Sequence, residues 1–277
     1  MRAYEYALVM YKPTTECVEI AKTASSILKL HGIEVEVLSA DDVVPSLKYT
    51  AREFHKALVV VVGGDGTFFK AAHLFAKSKD HIIYPYPCGR RNFYYEKPVE
   101  SVEKVLEAII SGNYATELIP LYELRYGDNA FLFVNDAVLV SSNLGKVGTY
   151  TVSISSPLCK SKYSFEGDGI IISTSYGSSG HNLSAKGPLV IPEIEVLVIT
   201  HLNPMQLGLP SIVVPSSARI SIEVQSVSHV YADGTYLKTV GKGDIVEVLR
   251  SSSYVKVARI GSYRNFIELV MKSRRVI

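Results

Sequence analysis

Several broad classes are excluded by what the sequence has little of. Its 29 basic and 27 acidic residues leave a formal net charge of +2, too small a surplus for nucleic acid to be the main partner. The three cysteines, Cys17, Cys88 and Cys159, are odd in number and far apart. They predict reduced intracellular thiols, with neither a disulfide framework nor a zinc site. No apolar run reaches the length of a membrane span. Met1 to Glu5 leads straight into a strand and does not resemble a signal peptide. The expectation is a soluble, cytoplasmic protein with no membrane contact. His31, His55, His73, His81, His201 and His229 show no metal-ligand spacing and read as structural. Internal repeats and low-complexity tracts are missing as well.

What is present is a globular composition, 47% hydrophobic and 20% charged over 277 residues. That is enough for two domains or one large one. The first part alternates strands with helices. Tyr6 to Tyr11, Ile33 to Leu38, Leu58 to Val62 and Ile82 to Tyr84 read as strands. Helices fit the spacing of Val18, Ala21, Ala24, Ile27 and Leu28, and of Val102, Val105, Leu106, Ile109 and Ile110. Asp41 to His55 reads as loop plus a short helix. Alternation of this kind means a parallel sheet, with ligands outside the carboxyl ends of its strands. After Asn113 the helical period fades. Strands are expected at Leu118–Tyr126, Ala130–Val140, Gly148–Ser155, Gly169–Thr174, Glu195–Thr200, Ile212–Val214, Ile220–Val224, His229–Ala232, Ile245–Leu249 and Tyr254–Ala258. The expected fold is therefore a parallel α/β domain over 1–115, an all-β domain over 116–260, and a short amphipathic tail over 261–277.

One stretch organises the chemistry: LVVVVGGDGTFF, from Leu58 to Phe69. An unbroken apolar strand runs into Gly63-Gly64-Asp65-Gly66-Thr67, and a helix is expected to open at Thr67. Glycines leave backbone amides uncovered, and a helix N-terminus favours anions, so this turn suits phosphate. It is neither the Walker A pattern nor GxGxxG. Asp65 would repel phosphate unless it binds a metal ion or takes a proton from an attacking hydroxyl; a tight turn with Asp65 capping the helix is the plain alternative. Two further places stand out. Asn135-Asp136 interrupts the apolar FLFVNDAVLV, so at least one polar side chain faces a core or a cleft. The run from Ser173 to Pro188 is dense in hydroxyls and glycines, includes His181, and supplies donors and acceptors for a sugar or nucleotide. A basic, turn-rich loop carries Arg90 and Arg91.

GGDGT at Gly63 to Thr67, ND at Asn135-Asp136, and the segment Gly167 to Pro188 occur in an order that resembles the NAD kinases. SIVVP at Ser211 to Pro215 and Asp233-Gly234 fit the same pattern. The resemblance implies a Rossmann-like parallel α/β domain followed by an all-β sandwich domain. It also implies phosphoryl transfer from ATP or polyphosphate to the 2′-hydroxyl of the adenosine ribose of NAD, with Mg2+ or another divalent metal. It makes Asp65 the base, and Gly63, Gly64, Gly66 and Thr67, with Arg90, the donor-phosphate residues. Asn135, Asp136, Asp168, Ser179, Gly180, His181 and Ser184 become NAD-binding residues, and no side chain is assigned as a metal ligand. It implies small-molecule nucleotide partners and a homodimer or homotetramer. The sequence departs from the family pattern in Asp136 for Glu, in Ser179-Gly180-His181 for Thr-Ala-Tyr, and in Gly89 to Phe93. Another nucleotide or lipid acceptor, and a non-catalytic dinucleotide sensor, are the alternatives.

Overall fold

A computed structural model describes residues 4–43, 56–76, 80–89, 92–96, 101–143, 145–261 and 266–274. In chain order, the first elements are β1 (Tyr6–Tyr11), α1 (Thr15–Leu30), β2 (Glu34–Ser39), β3 (Ala57–Gly63), α2 (Asp65–Phe75), β4 (Ile82–Pro87) and α3 (Val102–Ile110). They are followed by β5 (Ala115–Tyr126), β6 (Asn129–Phe133), β7 (Asp136–Ser141), β8 (Gly148–Ser155), β9 (Lys160–Gly167), β10 (Gly169–Thr174) and α4 (His181–Ser184). The remainder are β11 (Val196–Leu202), β12 (Ile212–Pro215), β13 (Arg219–Val224), β14 (Ser228–Ala232), β15 (Thr235–Val240), β16 (Ile245–Arg259) and α5 (Phe266–Ser273). Two compact units divide the chain, Met1–Ile119 with Ser253–Ile277, and Pro120–Ser252. Among the described residues no helix is long and apolar enough to cross a membrane.

The first unit is built on parallel strands in the order β2-β1-β3-β4, with the last residues of β16 parallel to β4. Every residue of β3 is buried, as a strand covered on both faces requires. On one face Ala7, Val9, Leu58, Val60 and Val62 pack with Cys17, Ala21, Ala24 and Leu28 of α1 and with Val102, Val105, Leu106 and Ile109 of α3. The alternate residues Leu8, Met10, Val59 and Val61 are buried too. Strand order reverses direction between β1 and β3, and the glycine turn lies at the carboxyl end of β3, where such sheets hold ligands.

The thiols overturn the expectation of three reduced cysteines. Cys17 of α1 and Cys88 at the end of β4 form a disulfide with Cα atoms 5.8 Å apart, while Cys159 is free and exposed. A separation of 71 residues hid the pair. Parallel strands put the start of α1 and the end of β4 at the same edge of the sheet.

The second unit is a sandwich. One sheet runs β12-β11-β10-β7-β14-β15, and all its pairs are antiparallel. The other carries β13 between β16 and β8, then β9, also antiparallel. Their inward residues, including Tyr150, Val152, Ile220, Ile222, Val246 and Val248 against Leu139, Ile170, Ile172, Leu197 and Ile199, form one core. Two expected strands differ. Ala130–Val140 is broken by bends at Val134 and Asn135, and Ile245 to Ala258 is one strand instead of two. The sequence pattern also misses β9 and β15, whose outward residues are mostly polar and give little apolar signal.

Candidate active site

The turn after β3 folds tightly. Helix α2 opens at Asp65 with Gly64 as its N-cap, two residues earlier than the expected start at Thr67. The amides of Thr67 and Phe68 donate to the Gly64 carbonyl at 2.8 and 3.1 Å. The Cys88 amide donates to the Gly63 carbonyl at 2.9 Å, tying the turn to the end of β4. Asp65 is therefore in the first turn but is not the cap. Its Oδ1 accepts the Phe93 amide at 2.8 Å and the Tyr94 amide at 3.3 Å. Two backbone amides on one carboxylate oxygen fix its direction.

The segment that supplies those amides is packed onto the same helix. The Tyr94 ring stacks on Phe68 at 4.4 Å between centroids and meets Phe69 edge-on at 5.4 Å. The Tyr95 hydroxyl donates to the Gly64 carbonyl at 2.8 Å. Burial, and then the nearby Asp65 carboxylate, push that hydroxyl well above its usual range. Phe93, Tyr94 and Tyr95 are site-building residues that sequence reasoning missed. The departure noted at Gly89 to Phe93 was their only trace. Arg90 lies outside the described residues.

In the second unit Asn135 sits in the bend before β7, and Asp136 opens that strand. The bend is held by Asp233, whose carboxylate accepts the amides of Val134, Asn135 and Asp136 at 2.8, 2.7 and 3.3 Å. Asp233 has φ of +46°, a left-handed conformation that aspartate tolerates in tight turns, with Gly234 next. The Asp233-Gly234 pair, noted only as fitting the family pattern, thus supplies a clamp. Asp136 is only 6% exposed. Burial, and then the neighbouring Asp233, push its carboxyl up to about 7.

The hydroxyl-rich run is not a loop throughout. It forms a 3-10 turn at Tyr176–Ser179 and then α4. Much of its polarity is satisfied internally. The Thr174 hydroxyl donates to the Val134 carbonyl at 2.7 Å, and Ser178 donates to the Val190 carbonyl at 2.9 Å. Ser175 donates to the Ile194 carbonyl. The buried Asn182 donates to the Ser178 and Pro188 carbonyls and accepts from the Thr200 hydroxyl at 2.7 Å.

Gly177 passes so close to Asn135 that a Cβ there would lie 2.1 Å from its carbonyl oxygen. A Cβ on Gly180 would stand 3.9 Å from the Asn135 side-chain nitrogen. Asn135, Asp136, Ser179, Gly180 and His181 therefore gather at one end of β10, with Ser184 a turn further along α4. Partial desolvation pushes the His181 imidazole below its usual range, toward the neutral form. Asp168 is not in this group. Asp136 pairs with Ser173 at one end of β10, whereas Asp168 precedes Gly169 at the other, about 16 Å along the strand. Its carboxylate accepts the Asn203 side-chain amide at 2.7 Å.

Comparison with known proteins places this geometry. Residues 10–114 match the ATP-NAD kinase N-terminal domain, and residues 134–260 match the ATP-NAD kinase C-terminal domain. The chain is 30% identical to the NAD kinase of Aeropyrum pernix over 258 residues, covering 90% of each protein. It is 33% identical to the NAD kinase of Thermotoga neapolitana over 223 residues, covering 77% of this chain and 83% of that one. In fold it is similar to an NAD kinase from Archaeoglobus fulgidus solved with ATP, with a TM-score of 0.77 and 22% identity over 97% of this chain and 98% of that one. It is also similar to yeast NADH kinase solved with NADH, with a TM-score of 0.81 and 20% identity over 97% and 86% of the two chains. The chain belongs to the NAD kinase family.

Proposed function

We propose that this protein phosphorylates the 2′-hydroxyl of the adenosine ribose of NAD to give NADP, with ATP or polyphosphate as donor. The observation that carries the reading is Asp65, presented by the first turn of α2 and aimed by the amides of Phe93 and Tyr94. The hydroxyl oxygen attacks the terminal phosphorus, and its proton passes to the Asp65 carboxylate. The bond from that phosphorus to the bridging oxygen breaks, and the shortened donor leaves. Such transfer asks mainly for positioning and charge neutralisation. Gly63, Gly64, Gly66 and Thr67 would receive donor phosphates, as the turn and the helix N-terminus favour; Arg90 joins them on the family resemblance alone.

Asn135 and Asp136 would bind the adenosine. An acid near 7 is present in both forms at neutral pH, so Asp136 is able either to donate to or to accept from a ribose hydroxyl. Ser179, Gly180, His181 and Ser184 would line the same acceptor region. Asp168 would meet the nicotinamide end, the part of the dinucleotide most distant from adenosine.

Among the described residues no three His, Cys, Asp or Glu side chains cluster as a metal cage. Mg2+ would enter with the donor, since that ion binds substrate phosphates and keeps several waters. The donor phosphates received by the glycine turn would then carry the ion, and it would neutralise their charge. A homodimer or homotetramer and a cytoplasmic location belong to the same proposal, on family membership. The test is formation of NADP by purified protein with NAD, Mg2+ and either ATP or polyphosphate. Product with one donor names it. No product with either, while calorimetry registers NAD binding, overturns the reading.

A further inference from the structure

The chain ends its last strand on an arginine. Arg259 follows the apolar residues Val255, Val257 and Ala258, and its side chain is only 8% exposed. Arginine is almost never buried without partners. Here Nε donates to Glu117 Oε2 at 2.6 Å, and a terminal guanidinium nitrogen donates to the Tyr94 carbonyl at 2.7 Å. The next amide, that of Ile260, donates to Glu96 Oε2 at 2.9 Å. The end of β16 thus grips the segment Tyr94 to Glu96 twice. On its other side the same segment turns the amides of Phe93 and Tyr94 to Asp65. Tyr94 is the link, with its carbonyl on a buried cation and its amide on the proposed base.

We infer that Arg259 is a positioning residue for phosphoryl transfer, acting on Asp65 through the backbone of Tyr94 and anchored by Glu117. The inference rests on the kinase reading above and adds residues to which that reading gave no role. Removing the guanidinium leaves the Tyr94 carbonyl without its charged donor and frees the segment to shift. The carboxylate then loses direction, and a displacement near 1 Å is enough to cost about a hundredfold in rate.

The experiment measures kcat and the KM for NAD separately in wild type, Arg259→Met, Arg259→Lys and Glu117→Gln. Rates are taken per mole of folded protein, from thermal melts, well below each transition. Arg259→Met is expected to lower kcat about thirtyfold to hundredfold with the KM for NAD within about twofold, and Arg259→Lys to recover part of the loss. In an Asp65→Asn background Arg259→Met should add nothing to the residual rate, because both changes remove one function. The inference is overturned by an unchanged kcat in folded Arg259→Met, by parallel losses in kcat and KM, or by the full Arg259→Met loss repeated on Asp65→Asn. If Arg259→Met does not fold, Glu117→Gln decides. It loosens the anchor and keeps the guanidinium, so kcat should fall about threefold to tenfold, and an unchanged kcat overturns the idea. Wild type that makes no NADP with either donor fails the kinase reading itself, before any variant is compared, and takes this inference with it.

Discussion

Gly66 and Gly177 both lie in glycine-rich turns after a buried strand, and the chain uses them in opposite ways. A Cβ on Gly66 would find nothing within 4 Å among the described residues, whereas one on Gly177 would strike the Asn135 carbonyl oxygen at 2.1 Å. Packing among the described residues requires glycine at 177 and does not at 66. At 66 a bare backbone leaves room for something from outside. The serines and amides around Gly177 tell the same story, since Ser175, Ser178 and Asn182 are bonded to carbonyls of their own unit. The first turn is open at Gly66, though packed against Thr67 at Gly63, and the second is a scaffold that holds Asn135 and Asp136 in place. A glycine-rich run alone does not distinguish the two; what a Cβ would meet does.

Several changes would break or sharpen this contrast. The largest effect is expected at the open turn, where Asp65→Asn should lower turnover about a thousandfold with little loss of NAD affinity. Steady-state kinetics and calorimetry read the two separately. The first unit is also fastened covalently, whereas Cys159 of the second is a free thiol. Reducing the Cys17–Cys88 bridge, which spans 71 residues of sequence, should destabilise the first unit by up to about 4 kcal/mol on the chain-entropy model. Cys88→Ser under denaturant measures it. At the scaffold, Gly177→Ala should lower stability by about 3 kcal/mol, because the obstruction is backbone and cannot swing away.

The pH dependence separates the two carboxylates. The Asp136 carboxyl sits near 7 when folded against an ordinary value near 4. A raised acid binds its proton more tightly in the fold, so its contribution is present below the ordinary value and is lost as pH rises through about 7. Asp136→Asn should therefore gain on wild type between pH 4 and pH 8, by roughly 3 kcal/mol at most. Melting curves at the two pH values give the difference. The smallest effect belongs to Gly66→Ala, with stability within about 1 kcal/mol of wild type and a raised KM for the donor.

The contrast also explains what could be read from residue order and what could not. The buried run Leu58 to Val62 and the turn behind it announce a parallel strand and an anion site, because both signals are local. The helices of the first unit and most strands of the second follow from periodicity in the same way. The disulfide, the clamp of Asp233 on Asn135 and the amides of Phe93 and Tyr94 on Asp65 are not local. Val134 and Asp233 meet because β7 and β14, nearly 100 residues apart, are paired, and Cys17 and Cys88 because α1 packs against the parallel sheet that contains β4. The Ser173 to Pro188 run is ambiguous for a related reason. Hydroxyls that satisfy buried carbonyls and hydroxyls that greet a sugar have the same composition. Asp168 stands apart from Asp136 because the strand between them, β10, is extended, a separation invisible in a motif that lists both.

The most direct test of the account measures NAD affinity and turnover on two variants side by side, Asp65→Asn and Asp136→Asn. The account predicts that the first keeps its affinity for NAD and loses turnover, while the second weakens NAD binding and keeps most of its turnover at saturation. Equal losses in both quantities for both variants would contradict the division of labour, and an Asp65→Asn protein with wild-type turnover would contradict the role of Asp65 outright.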